Sequence, residues 1–147
     1  MVDEADRKAW LGLLARAPGA DVAKLWQDLA EAPSFAWLRQ PEIGGVMVRG
    51  RMGGSGGPFN LGEMTVTRCS LRLDCGTVGH GYVQGRDKAK AEIAALIDAL
   101  MQTERGARVR ETILAPLEAT MAVKARARAE KAAATKVDFF TLVRGED

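Results

Sequence analysis

A single histidine and two cysteines are all that this 147-residue chain has of the side chains that most often hold transition metals. An iron–sulfur cluster held by the chain alone is excluded, because such clusters want four thiolates. A zinc site would have to recruit Cys69, Cys75, His80 and a carboxylate such as Asp74, which lack the paired short spacing of structural zinc ligands. Two cysteines outside a Cys-x-x-Cys pair make no disulfide framework either. They read as reduced, small and buried. Aromatic residues are only 5% of the chain, too sparse for the interleaved stacking platform that single-stranded nucleic acid uses. No window approaches 18 uninterrupted apolar residues, so no segment reads as a transmembrane helix. The opening run Asp3, Glu4, Asp6, Arg7, Lys8 is acidic and then mixed, unlike a secretory signal. A cytoplasmic protein is expected, with no membrane among its partners.

What is present is an ordinary globular composition, 47% hydrophobic and 27% charged, at a length that suits one domain. The net charge of +2 hides a gradient. Residues 1–31 carry four basic and six acidic side chains, whereas residues 104–136 carry eight and four. Within that late segment Lys124, Arg128 and Lys131 stack on one helical face, a spacing that can track phosphates. Glu130 interrupts the run and no recognition motif accompanies it. A solvated face or a charged protein surface is the better reading, and nucleic acid is not expected as a partner.

Helical and strand periodicities divide the chain. Trp10, Leu13, Leu14 and Ala17 fall at i, i+3, i+4, i+7 before Pro18-Gly19, and Val22, Leu25, Trp26 and Leu29 repeat the pattern with Asp21 placed to cap it. From Ile43 the texture becomes β: Ile43–Met52, Leu61–Asp74 and Thr77–Gln84 read as three antiparallel strands, with room for a fourth. The middle strand changes phase near Thr67-Arg68, which predicts a bulge or a strand covered on both faces. Asp87 then caps a helix striped by Ile93, Leu96, Ile97, Leu100 and Met101. A long helix over Ala107–Thr135 contains Pro116 and should kink or divide near Leu114-Ala115. Beyond Met121 it offers little to bury, yet Phe139, Phe140, Leu142 and Val143 follow. These four are candidates for contact with a partner. The expectation is an α+β fold: three to four antiparallel strands covered by helices, an N-terminal helical hairpin, and an extended C-terminal helix and tail. We read it as one domain, 1–147, made of a helical lead-in (1–40), a sheet-plus-helix core (41–103) and a helical arm with its tail (104–147).

The stretch Arg49 to Asn60 is the most unusual. Gly53, Gly54, Gly56 and Gly57 expose backbone N–H groups and permit positive φ, the makings of an anion-binding nest. Arg49 and Arg51 would project on one side of the preceding strand, an arrangement suited to triphosphate or phosphonate oxygens. No Gly-Lys-Ser/Thr ending follows, and the next element is a strand, so neither a P-loop nor a dinucleotide fold is indicated. On physics alone a hairpin connection is the plainer reading. Glu63, Thr65 and Thr67 share one side of the next strand and Arg68 the other. Such a row orients a polyol or phosphate, or forms a solvated sheet face. His80 lies between Gly79 and Gly81, which let something approach its backbone closely. It suits a general acid or base, but no Ser or Cys nucleophile is evidently paired with it, and a structural role is the stronger reading.

The wording Arg49-Gly-Arg-Met-Gly-Gly-Ser-Gly-Gly-Pro-Phe-Asn-Leu-Gly-Glu-Met-Thr-Val-Thr-Arg68, continued by Gly76-Thr-Val-Gly-His-Gly-Tyr-Val-Gln-Gly-Arg-Asp87, resembles the PhnG family, the G subunit of bacterial carbon–phosphorus lyase. Trp37-Leu-Arg-Gln-Pro41 and Val137-Asp-Phe-Phe-Thr-Leu-Val-Arg144 extend the likeness over nearly the whole chain. The resemblance implies a cytoplasmic complex with H, I, J, K and L subunits. In it the G, H, I and L subunits displace adenine from ATP with methylphosphonate to give α-D-ribose 1-methylphosphonate 5-triphosphate. It also implies that the iron–sulfur cluster and S-adenosylmethionine belong to the J subunit, and that this chain alone binds no cofactor. The alternative on the residues is an autonomous triphosphate- or phosphonate-binding domain that uses the Gly-rich loop. The candidate residues, for substrate or interface, are Arg49, Arg51, Gly53, Gly54, Gly56, Gly57, Asn60, Glu63, Thr67, Arg68 and His80, with no catalytic residue assigned.

Overall fold

A computed structural model of the chain describes residues 3–136. The apolar candidates Phe139, Phe140, Leu142 and Val143 lie outside the described residues. Helix α1 (Glu4–Arg16) is capped by Asp3, whose carboxylate accepts from the Ala5 N–H at 3.2 Å. Extended backbone at Ala17 and Pro18 ends it and starts α2 (Gly19–Leu29). The expected cap at Asp21 is not found. Pro18 holds the N-cap position without a side-chain bond, while Asp21 sits in the first turn and accepts from Lys124 at 2.7 Å. A carboxylate there still favours the positive helix end.

Strands β1 (Phe35–Arg51), β2 (Pro58–Leu73) and β3 (Val78–Gln84) form an antiparallel sheet in the order β1-β2-β3. Among the described residues there is no fourth strand. β1 begins at Phe35, well before the expected Ile43. Pro41 had masked it, because a proline within a strand argues against one. β1 accommodates it as an edge strand whose register against β2 shifts between Trp37 and Arg39 and again between Arg39 and Glu42. The phase change in β2 is not a bulge of that strand against β3, where pairing runs unbroken from Val66–Gln84 to Arg72–Val78. Val66 and Thr67 are both buried, so β2 is covered on both faces at that point. The register shifts lie opposite, in β1.

Helix α3 (Lys88–Met101) starts at Asp87, whose side chain accepts from Lys90 N–H at 2.9 Å. Leu96, Ile97, Leu100 and Met101 are buried as the stripe requires, and Ile93 is half-buried. A second side of the helix, Ala91, Ala94, Ala95 and Ala99, is buried too. It lies so close to β3 that a Cβ at Gly79 would overlap the Ala95 carbonyl, and one at Gly81 the Ala91 carbonyl. The glycines beside His80 therefore admit a helix. The five or so large side chains on α3 contribute about 1.5–3 kcal/mol each on burial. Beyond it come a short α4 (Gly106–Val109), a π-helical turn (Arg110–Leu114) and α5 (Ala115–Ala134). Pro116 sits in the first turn of α5, where its missing N–H is cheapest. The break expected near Leu114 takes the form of the π turn, which absorbs the proline without ending the helix. Val109, Ile113, Leu114 and Leu117 are buried, Met121 is half-buried, and every residue from 122 to 136 is exposed.

Candidate functional site

β3 stops pairing at Val66–Gln84, but β1 and β2 continue as a two-stranded ribbon. From Thr65 to Pro58 it extends about 23 Å beyond the three-stranded sheet at 3.3 Å per residue. Cross-strand partners share a face, so one side of the ribbon carries Met47 with Glu63, Arg49 with Asn60, Arg51 with Pro58, and Thr65. This side is continuous with the helix-covered face of the sheet. The other side carries Val46, Val48, Met64 and Phe59, with Leu61 beside them at a third register shift.

The ribbon turns through Met52–Gly54, a single 3₁₀ turn. Gly53 and Gly54 have φ of 60° and 81°, values that favour glycine on steric grounds. The Gly56 N–H donates to the Met52 carbonyl at 2.9 Å, and a side chain at 56 would press on that same carbonyl. Arg51 Nη1 donates to the Gly56 carbonyl at 3.0 Å, so its guanidinium closes the loop from within. Gly57 has open space around it. Of the two arginines, Arg49 is the one left facing outward, with Asn60 opposite and Glu63 along the same face.

Three candidates are elsewhere. Thr67 is fully buried and its hydroxyl donates to the Gly85 carbonyl at 2.7 Å, which closes off the end of β3. Arg68 is on the opposite, open face and donates to Glu42 at 2.9 Å. His80 is also on the open face, paired with Ser70. The Ser70 hydroxyl lies 2.8 Å from His80 Nδ1, so a serine partner exists that the sequence did not reveal. Ser70 stands ten residues along β2 from Asn60, roughly 33 Å of strand, and the structure does not bring His80 to the loop. The two cysteines differ. Cys69 is buried under α3 with its thiol on the Ala91 carbonyl at 3.2 Å. Burial pushes that thiol up to about 11. Cys75, expected to be buried, is exposed in the β2–β3 turn. A hydrogen bond with Thr77 lowers its pKa, with Arg105 a smaller influence.

The residue that sequence reasoning passed over is Asp98. It is fully buried. Its Oδ1 accepts from Arg7 Nε at 3.1 Å and Trp10 Nε1 at 3.0 Å; its Oδ2 accepts from Arg7 Nη2 at 2.7 Å and the His80 backbone N–H at 2.9 Å. One carboxylate thus ties α1, α3 and β3 together. A lone acid within the apolar run Ile93–Met101 was the available signal, since a buried charge needs a partner.

Residues 5–145 match the family described as phosphonate metabolism protein PhnG. The chain belongs to the PhnG family. It is also similar to a protein of Rhizobium meliloti (strain 1021), the alpha-D-ribose 1-methylphosphonate 5-triphosphate synthase subunit PhnG. The two are 47% identical over 143 residues, which is 97% of this chain and 92% of that protein. The likeness therefore takes in the ribbon, its loop, the Asp98 junction and the long α5. Among the described residues no helix is long and apolar enough to cross a membrane.

Proposed function

We propose that the chain serves as the G subunit of a cytoplasmic synthase that joins methylphosphonate to the ribosyl triphosphate of ATP with release of adenine. Similarity over nearly the whole chain to a named synthase subunit, with 47% identity across 97% of the chain, is the observation that carries this reading. Its partners are the H, I and L subunits, with J and K in the larger complex, and its part is to support a shared site rather than to supply the reacting groups. Arg51 is occupied inside the loop, which leaves Arg49, beside Asn60, as the cation that meets triphosphate or phosphonate oxygens. An arginine fork suits such oxygens because it donates two parallel charge-assisted hydrogen bonds.

The test is reconstitution of the H, I and L subunits with and without this chain, with formation of the ribosyl methylphosphonate triphosphate from ATP and methylphosphonate as the readout. That product should appear only when the chain is present. Full formation without it overturns the proposal. In the complete assembly Arg49→Ala should lower turnover by one to three orders of magnitude, at about 1.4 kcal/mol per tenfold. Arg51→Ala should cost the loop one exposed hydrogen bond, about 0.5–1.5 kcal/mol, with a smaller effect on rate.

A further inference from the structure

Two parts of the molecule leave its core, and they leave from the same end. The ribbon departs where Gly85 N–H meets the Thr65 carbonyl at 2.9 Å. Two residues on, Asp87 begins α3, and it touches Gly19 at the start of α2. Asp21 in that first turn holds Lys124 of α5 at 2.7 Å. At the opposite end of α2, Glu31 holds Arg105 at 2.7 Å and Arg108 at 3.7 Å. The chain from Arg105 onward therefore runs antiparallel to α2, towards the root of the ribbon. It then continues past Lys124 for ten more helical residues, about 15 Å.

The ribbon exposes apolar side chains and the α5 arm exposes cations. On the ribbon, Phe59, Leu61 and Met52 are 42%, 66% and 77% exposed. The charge is equally lopsided. Residues 43–62 carry two arginines and no acid, and residues 122–136 carry five basic side chains against Glu130. The arms hold +6 between them, so the rest of the chain holds −4 within the overall +2.

We propose that the ribbon and the α5 arm are the two halves of one docking surface, and that both seat on a single protein subunit of the synthase. The partner surface is acidic where it meets the α5 arm and offers an apolar groove to the Phe59–Leu61 side of the ribbon. This rests on the function proposed above. A protein fits better than a nucleic acid, because the ribbon presents an apolar row rather than stacked aromatics, and Arg126 is already paired to Glu130 at 2.9 Å. Cations on the arms and acids on the partner also steer encounter, which makes association sensitive to salt.

The experiment co-expresses the full chain with the other synthase subunits. A photo-crosslinking side chain is placed at position 61 in one form and at position 128 in another. Both forms should capture the same subunit. Leu61→Asp and the pair Arg128→Glu with Lys131→Glu should each weaken assembly by tenfold or more while the isolated variants melt like the parent, since all three positions are exposed. Capture of two different subunits, capture that nuclease abolishes, or variants that assemble normally beside an assembling parent overturn the docking surface alone. If the unmodified chain does not assemble with those subunits, the proposed function falls with it.

Discussion

Exchange of Asp98 for asparagine swaps one oxygen for an NH₂ group and removes a charge, with almost no change in volume. All four groups that meet this carboxylate are donors: Arg7 twice, the Trp10 indole and the His80 backbone N–H. Whichever way the new amide turns, its NH₂ faces two of them. Arg7 is 31% exposed and can recover water. The buried indole N–H cannot, the His80 N–H is part-buried, and a buried donor left without a partner costs about 1–3 kcal/mol. With the charge-assisted bonds to Arg7 lost as well, the total should approach the 3–5 kcal/mol typical of breaking a buried pair. At about 2.1 cal/mol/K of unfolding entropy per residue, 147 residues convert that to a fall in Tm of about 10–16 °C. Thermal unfolding of the isolated chain followed by far-ultraviolet circular dichroism measures it directly. A fall of under about 3 °C would show that the carboxylate is not the junction between α1, α3 and β3.

Gly81→Ala drives a methyl group into the Ala91 carbonyl and should destabilise by about 3 kcal/mol or more, because neither backbone can move aside; a parent-like urea midpoint would refute the close approach. An aromatic disulfide reagent at pH 8 should label Cys75 at once and Cys69 only on unfolding, and equal rates would contradict their placement. Because burial raises Cys69 from its ordinary 9.0 to about 11, the folded chain keeps a proton there that the unfolded chain loses. Stability should therefore fall as pH rises through that window, and Cys69→Ala should remove that part of the slope. Truncation after Lys136 should leave a folded chain that assembles poorly with its partners, as expected if Phe139, Phe140, Leu142 and Val143 contribute to contact; unaltered assembly would remove the tail from the interface.

Much of the architecture could be read from local signals. Pro18-Gly19 separates two amphipathic turns, Asp87 announces α3, and the alternation in β2 and β3 marks a meander. Those signals work because each depends on residues a few positions apart. The start of β1 was hidden because the bulges that excuse Pro41 exist only in the pairing with β2. Asp98 was hidden for a related reason: its partners Arg7 and Trp10 are 91 and 88 residues away. Arg49 and Arg51 looked equivalent by alternation, and they do share a face. Only the path of the loop sets them apart, since it brings the Gly56 carbonyl round to Arg51 and to no other cation. The exposed stretch after Met121 was legible because composition alone shows that it has little to bury, whereas its direction depends on the ion pairs at the two ends of α2.

The bond from the His80 N–H to Asp98 also bears on how the molecule behaves at high concentration. β3 is the last strand of the sheet, and an outward N–H on a last strand is a template on which another chain can grow. Here that group is already taken by a carboxylate from α3, beside Arg7 and Trp10 from α1. On the other margin β1 carries Pro41 and two register shifts, which spoil the regular spacing a recruited strand would need. Sheet-to-sheet polymerisation is thus obstructed along both sides of the core. Among the described residues, the ribbon is the stretch of sheet left open to strand addition, and it is the stretch that assembly with a partner would cover.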